Sequence, residues 1–170
     1  MEILFEINGN DIDGLIDQFI RPSSRAIIFK DGMLALVYSE TYSYYKFPGG
    51  GIDEGESKVE ALIREVREEV GLQVIEDSIH EFGLVIKRQK GDGDYIFIQD
   101  NYYYMCEVGE EIYEPELDIH EIAAGFVLKI VPIQDAIMVN EKFIDENPHN
   151  LMIKRELGVL RLLNDLQQFK

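Results

Sequence analysis

Basic residues are scarce in this sequence. Its 170 residues include 16 lysines and arginines against 33 aspartates and glutamates, which gives a formal net charge of −17 at pH 7. Proteins that bind nucleic-acid polymers or anionic membrane surfaces present basic patches to them. The charge therefore argues against both classes of partner, and it implies that a small anionic substrate would need metal ions in order to bind.

Cysteine and long apolar segments are also lacking. Cys106 is the single cysteine, which excludes an intramolecular disulfide. The sequence contains neither an apolar run of transmembrane length nor a recognisable signal peptide. We therefore expect no membrane association and a cytoplasmic protein.

The overall composition is typical of a globular enzyme domain. Hydrophobic residues make up 46% of the chain and charged residues 29%, and a chain of this length can bury a proper core. We predict a single domain over residues 1–170, in which residues 1–22 form an N-terminal strand or extension and residues 148–167 form a C-terminal helix.

A helix with well-marked ends follows a run of three glycines. Ser57 and Glu60 form a capping-box pattern, and Gly71 is typical of the left-handed residue that ends a helix. These signals predict a helix over residues 57–70. Its apolar positions fall on one face, namely Val59, Leu62, Ile63, Val66 and Val70. Three glutamates converge on the opposite face, namely Glu65, Glu68 and Glu69.

Two interpretations of these glutamates are open. They can form an ordinary solvated helix face, because glutamate prefers exposed positions. Alternatively, their oxygens can hold Mg²⁺ or Mn²⁺, the hard cations that carboxylates suit. The preceding glycine-rich loop, Gly49 to Gly51, favours the second interpretation, because glycines let a phosphate approach the main chain closely. A polyphosphate beside three carboxylates would be repelled unless metal ions lay between them.

The glycines and the helix together resemble a known motif. Five residues separate Gly50 from Glu56, and seven separate Glu56 from Arg64-Glu65-Val66. One residue separates this triplet from Glu68-Glu69, and one more separates that pair from Gly71-Leu72. This spacing resembles the Nudix box at every defined position. The resemblance implies an α/β fold, the Nudix-type α/β/α sandwich with a mixed central sheet, and a Mg²⁺-dependent hydrolase of nucleoside diphosphates linked to another moiety.

The same resemblance implies roles for the acidic residues. Glu65 and Glu69 resemble the principal metal ligands, and Glu68 resembles a further ligand or the general base. Arg64 resembles the residue that orients the glutamates. The family often draws one more glutamate from a loop beyond the box, and here Glu121 is the first choice, ahead of Glu116 and Glu114.

The residues around the glycines are the expected contacts of the substrate and its phosphates. They are Gly49, Gly50, Gly51, Arg25, Tyr45 and Phe47. For the aromatic residues two interpretations stay open, because such side chains stack on bases but also commonly fill protein cores. Lys87, Arg88 and Lys90 form a small basic group, which we interpret as the decoration of an edge strand in preference to a phosphate contact.

The remaining segments are assigned from turn and periodicity signals. Asp31-Gly32 predicts a hairpin between strands 25–29 and 33–38, and residues 91–94 predict a second turn. Residues 11–20 are expected to form a short helix or loop, and residues 110–121 a loop. Asn147-Pro148 is expected to begin the last helix, whose apolar side faces the core or the second copy of a homodimer.

Two classes of function remain after this reasoning. The first is the metal-dependent hydrolase, which acts on a small-molecule nucleotide: a nucleoside triphosphate, a modified nucleotide or a nucleotide sugar. The second is a non-catalytic module of the same fold that senses a nucleotide, although the complete set of box glutamates argues against it. For the hydrolase we expect Glu69→Gln to abolish turnover and to leave the fold intact.

Overall fold

The computed structural model describes residues 1–168. The helices in this range are α1 (Lys58–Val70), α2 (Ile119–Ala124), α3 (Ile133–Glu146) and α4 (Leu151–Gln168). The strands are β1 (Ile3–Asn8), β2 (Asp17–Ile20), β3 (Ser23–Ile27), β4 (Phe29–Lys30), β5 (Met33–Ser39), β6 (Tyr44–Lys46), β7 (Gly49–Gly51), β8 (Leu72–Val74), β9 (His80–Lys90), β10 (Tyr95–Met105), β11 (Val108–Ile112) and β12 (Phe126–Val131).

The strands form one large mixed sheet and two smaller sheets. The large sheet has the order β1-β9-β10-β3-β7, and β2 also pairs with β10. Its β1–β9 and β10–β3 ladders are parallel, whereas its β9–β10 and β3–β7 ladders are antiparallel. The second sheet has the order β12-β5-β4 with β6 on β5, and β8 pairs with β11. The predicted mixed central sheet is confirmed.

Two apolar cores lie on opposite sides of the strands. Ala26, Ile28 and Val37 pack with Leu62 and Val66 of α1 in one core. The alternate strand residues point to the other core, which α3 and α4 cover. Its members include Ile27, Leu34, Leu36, Val85, Ile133, Ala136, Val159 and Leu160. This period-two alternation produces the α/β/α sandwich that the resemblance implied.

Helix α1 has the ends that the sequence predicted. The hydroxyl of Ser57 accepts a hydrogen bond from the Glu60 amide, and the Glu60 carboxylate accepts one from the Ser57 amide, so that the capping box is complete. Gly71 ends the helix with a φ of 67°. Leu62, Val66 and Val70 are buried as predicted. Helix α1 thereby holds its glutamates on a rigid element, since both ends of the helix are fixed.

The first hairpin is also present, but one of its strands is shared between two sheets. Asp31 and Gly32 both have positive φ, at 50° and 78°, as the predicted tight turn requires. The segment before the turn breaks at Ile28. Residues before the break pair with β10 and β7 of the large sheet, whereas Phe29 and Lys30 pair with β5 of the second sheet. This crossing joins the two layers of the sandwich.

Several predicted boundaries are wrong. Residues 11–20 contain strand β2, and residues 110–121 are not a loop, because they include the end of β11 and the start of α2. Asn147 is the C-cap of α3 and does not begin the last helix. That helix begins at Leu151, where the Asn150 side chain accepts a hydrogen bond from the Ile153 amide at 3.0 Å. In the part of the chain that the structure describes, no helix is both long enough and apolar enough to cross a membrane.

Candidate active site

The three glycines before α1 form a strand and not the predicted loop. Strand β7 pairs antiparallel with β3, so that Gly49 lies opposite Arg25 and Gly51 lies opposite Ser23. Gly49 has a φ of 136°, and a Cβ there would overlap the carbonyl oxygen of Ser24. A Cβ on Gly50 would overlap the carboxylate of Glu65. Glycine is therefore needed for two different reasons: backbone conformation at the first position and space for an acidic side chain at the second.

Glu69 is buried at the junction of α1 and β7. Its side chain is 2% exposed, and its Oε2 accepts a hydrogen bond from the Gly49 amide at 2.9 Å. Its Oε1 forms an ion pair with the ammonium of Lys46, whose side chain is also buried. The Lys46 Nζ lies 4.7 Å from the centre of the Phe126 ring. Glu69 therefore does not belong to a solvated helix face, and that interpretation of the acidic cluster is wrong for this residue.

Arg64 holds the other box carboxylates. Its guanidinium donates to both oxygens of Glu56, at 2.7 Å and 2.9 Å, and to Glu65 Oε1 at 2.8 Å. It also donates to Glu68 Oε2 at 3.1 Å and to the carbonyl oxygen of Gly51 at 3.0 Å. The Arg64 hydrogen bonds lower the pKa of Glu56 to about 2. The Arg64 side chain thus ties the helix to β7 and contacts three box glutamates.

Glu65 and Glu68 differ in their surroundings although both contact Arg64. The Glu65 side chain is 14% exposed, and burial raises its pKa while the hydrogen bond from Arg64 opposes this effect. Glu69 also raises the pKa of Glu65, which indicates that these two carboxylates are close neighbours. The Glu68 side chain is 39% exposed and lies on the outer side of the helix. Glu65 and Glu69 are therefore the inward-facing pair.

Glu121 comes to the same place from a different part of the chain. It lies in α2 and not in a loop, where its Oε2 accepts a hydrogen bond from the Asp118 amide at 2.8 Å. Burial raises the pKa of Glu121 to about 7, the Asp118 hydrogen bond opposes this shift, and the neighbouring Glu69 adds to it. The structure thus brings Glu121 beside Glu69. Glu116 reaches the same helix only through its amide, which donates to the carbonyl oxygen of Glu68 at 2.8 Å.

The predicted substrate contacts separate into two groups. Arg25 donates from Nη1 to the carbonyl oxygen of Gly49 at 2.6 Å and so adjoins the glycine strand. Phe47 is fully buried and packs edge-on against Tyr103 with ring centres 5.6 Å apart, so its prediction as a substrate contact is wrong. Tyr45 packs on Tyr38 at 4.8 Å between ring centres. For Phe47, core packing is the correct one of the two interpretations.

The carboxylates fit a divalent cation chemically, although they are not preassembled for one. Within residues 1–168 no three acidic, histidine or cysteine side chains are arranged for metal coordination. Two basic side chains pair with these carboxylates: Lys46 forms an ion pair with Glu69, and Arg64 forms one with Glu65. Hard oxygen donors on adjacent turns of one helix, with Glu121 beside them, are a suitable ligand set for Mg²⁺ or Mn²⁺. A cation bound at Glu69 would compete with the Lys46 ammonium for this carboxylate.

Lys46 and the residues that support the glycine strand were missed by the sequence reasoning. The carboxylate of Glu156 accepts a hydrogen bond from the Phe47 amide at 2.9 Å. Asn140 bonds both the amide and the carbonyl oxygen of Tyr45, at 2.8 Å and 2.9 Å. Lys46 could have been found from the sequence, because a lysine directly before Phe47 is conspicuous in so acidic a chain. Nothing in the sequence linked Asn140 or Glu156 to residues some hundred positions earlier.

Comparison with known proteins agrees with this geometry. A family model described as NUDIX domain matches residues 20–152. The chain belongs to the Nudix hydrolase family. An RNA pyrophosphohydrolase from a Nitratiruptor species is 53% identical over 38 residues, which are 22% of this chain and 24% of that protein. The match thus spans about a quarter of the length of the relative.

A solved structure supports the Nudix fold over a longer range. It is a NUDIX hydrolase from Nitrosomonas europaea, with a TM-score of 0.57 and 20% sequence identity. The likeness covers 72% of this chain and 79% of that one. At this identity the likeness supports the Nudix fold and nothing finer. The Nudix assignment of residues 50–72 therefore rests on the family match and on the contacts of Arg64, Glu65 and Glu69 described above.

Proposed function

We propose that this Nudix protein is a Mg²⁺-dependent hydrolase that cleaves a phosphoanhydride bond of a small nucleotide. The substrate is a nucleoside triphosphate or a nucleoside diphosphate linked to another moiety. The observation that carries the proposal is the contact between the buried Glu69 carboxylate and the Gly49 amide, at 2.9 Å. This contact holds the acidic helix against the bare main chain of β7, where a diphosphate can approach both.

The roles of the chain's own residues follow from their positions. Glu65 and Glu69 would hold the metal, with Mn²⁺ as an alternative to Mg²⁺, and Glu68 would complete the set from the outer side. A bound divalent cation neutralises phosphate charge and lowers the pKa of coordinated water. Arg64 keeps Glu65 and Glu56 in place through the hydrogen bonds described above.

Glu121 is the proposed general base. Its pKa of about 7 allows the carboxylate to accept a proton from an attacking water near neutral pH, because a base is most effective when its pKa is close to the working pH. Its Oε2 is occupied by the helix-cap hydrogen bond, so the proton would be received at Oε1. Glu68 is the alternative base, and its Oε2 is likewise occupied, by a hydrogen bond from Arg64.

The experiment that tests the proposal is a product analysis with a nucleotide panel. ADP-ribose, nucleotide sugars, dinucleoside polyphosphates and canonical and oxidised triphosphates are incubated with and without Mg²⁺, and the products are identified by mass spectrometry. Release of a nucleoside monophosphate that requires Mg²⁺ and is lost in Glu121→Gln supports the proposal. Absence of any product across the panel contradicts it.

One observation favours a second candidate, a non-catalytic module that senses a nucleotide. The ammonium of Lys46 is paired with Glu69, the residue expected to bind metal. A protein that kept this ion pair permanently could bind a nucleotide without cleaving it. Saturable binding of a panel member, with no product in Mg²⁺ or Mn²⁺, would identify the sensor.

A further inference from the structure

Three basic side chains are buried together on the α4 side of the large sheet. They are Arg25 of β3, Lys87 of β9 and Arg155 of α4, with exposures of 6%, 7% and 0%. The strand register places Lys87 opposite Gln99, and Arg25 opposite Tyr103, so these side chains share one face. This concentration is unusual in a chain with 16 basic and 33 acidic residues.

The carboxylate of Glu156 lies within this group, while Glu69 acts on Arg25 from outside it. Glu156 forms an ion pair with Arg155 and also accepts the hydrogen bond from the Phe47 amide. Arg155 completes its hydrogen bonds with Gln99 at 3.0 Å and Asn101 at 2.6 Å. Glu156 is thus the only carboxylate that forms an ion pair with these three basic side chains in the described part of the chain.

Several polar groups of the cluster lack hydrogen-bond partners. The Nε of Arg25 and the hydroxyl of Tyr103 are buried and have no hydrogen-bond partner. Lys87 forms neither an ion pair nor a side-chain hydrogen bond with any residue in the described range 1–168. Burial lowers the pKa of Lys87 to about 8, and the charges of Arg155 and Arg25 act in the same direction.

Burying cations without a counter-charge is unfavourable, and a buried donor without an acceptor adds to the cost. An anion located among these donors would remove both penalties. We propose that Arg25, Lys87 and Tyr103 form a binding site for an anionic group, a phosphate or a carboxylate, on the α4 face of the sheet. Arg155 contributes charge to this site and Glu156 fixes Arg155.

The site has one end at an aromatic pair and one end at the glycine strand. Lys87 Nζ lies 5.8 Å from the centre of the Phe97 ring, which stacks at 6.0 Å on Phe19. Phe19 is 54% exposed, so this aromatic pair lies between Lys87 and the protein surface. At the other end, Arg25 donates to Gly49 at 2.6 Å. The anion is therefore either a charged group on the far part of the nucleotide or a free anion that binds beside it.

The position of Lys87 distinguishes it from the basic residues next to it in sequence. Strand β9 pairs with β1 as far as Arg88 and with β10 on its other side, so the interpretation as edge-strand decoration is wrong for Lys87 and Arg88. Arg88 pairs with Glu6 at 2.7 Å, and the exposed Lys90 lies 3.6 Å from Asp94. Lys90 is consequently a matched control on the same strand, since it has the same charge and no part in the cluster.

The first test is a titration of metal-free protein with inorganic phosphate, followed by NMR, with chloride at equal ionic strength as the reference. Wild type and Lys90→Gln should bind phosphate saturably, with shifts in the amides next to Arg25, Lys87 and Tyr103. Lys87→Met should weaken binding about tenfold or more, because a charge-assisted hydrogen bond is lost. Lys87→Arg keeps the charge and should retain binding.

The second test identifies the source of the anion and rests on the proposed hydrolase function. NADH and NADPH differ by a single phosphate, and they are compared both as substrates with Mg²⁺ and as ligands of the metal-free protein. A preference for NADPH that disappears in Lys87→Met assigns the site to the substrate. Phosphate binding that depends on Lys87, without any such preference, assigns it to a free anion.

The two proposals fail separately. Phosphate binding that is equal in wild type and Lys87→Met, or absent from wild type, overturns the anion site whatever the protein hydrolyses. Lys87-dependent phosphate binding with no hydrolysis of any nucleotide keeps the anion site and removes the hydrolase. If Lys87→Met does not fold, the amide shifts of the wild-type protein in the phosphate titration test the proposal by themselves. The absence of shifts around Lys87 then overturns the anion site.

Discussion

Removal of the Glu69 charge should cost stability as well as turnover. Glu69 and Lys46 are both buried, and they form an ion pair with each other. Removing one partner of a buried pair typically costs about 3 to 5 kcal/mol, because the other charge stays buried without compensation. For a domain of this size that range corresponds to a decrease in Tm of about 6 to 20 °C. The expectation of an intact fold in Glu69→Gln therefore needs revision.

A double-mutant cycle measures this effect. Chemical denaturation of the metal-free wild type, Glu69→Gln, Lys46→Met and the double variant gives the four free energies of unfolding. The double variant should recover most of the loss, because it removes both charges and a glutamine oxygen can still accept the Gly49 hydrogen bond. Glu68→Gln is the matched control: its side chain is 39% exposed, so we expect a change within about 1 kcal/mol.

Two results would refute the reasoning. A loss below about 1 kcal/mol in Glu69→Gln would mean that the ion pair behaves as an exposed one. Additive losses in the double variant would mean that Lys46 and Glu69 are not energetically coupled. In either case the lysine does not act as the resident cation of Glu69, and the metal would not have to displace it.

Three further predictions concern the site. Gly50→Ala should lower turnover at least tenfold with little loss of stability, because the added Cβ overlaps only the flexible end of the Glu65 side chain. A loss of stability as large as the loss of turnover would contradict this prediction. The free energy of unfolding should fall as pH drops from about 4.5 toward about 2, because the lowered pKa of Glu56 contributes stability only above that window. A Glu56→Gln variant whose stability depends on pH as that of wild type does would exclude Glu56 as the cause. Glu121→Gln should lower kcat about 100-fold or more while thermal unfolding stays near that of wild type, since glutamine can keep the helix-cap hydrogen bond. Unchanged kcat would remove Glu121 as the base.

Local signals in the sequence predicted the parts of the fold that local interactions determine. The Ser57 capping box, the Gly71 terminus and the Asp31-Gly32 turn are all present as predicted. Each depends on contacts within a few residues, which a sequence displays directly. Arg64, Glu65, Glu68 and Glu69 also lie in one helix, as predicted.

Burial and long-range pairing were beyond the sequence. Periodicity placed Glu69 on a polar helix face, but the approach of β7 and Lys46 encloses it. The glycines were expected to form a loop, because nothing local reveals their pairing with β3. Lys87 was assigned to an edge, since its position between two partner strands depends on β1, which lies some eighty residues earlier.

Helix α4 has a consequence for shortened forms of the protein. The family match ends at residue 152, yet Glu156 of α4 holds the Phe47 amide, just ahead of the glycine strand. A fragment that ends at residue 152 would keep the whole acidic motif but lose the Glu156 hydrogen bond to the Phe47 amide. Proteolytic clipping near residue 150 should therefore abolish the proposed hydrolase activity, because it removes the Glu156 contact with the Phe47 amide.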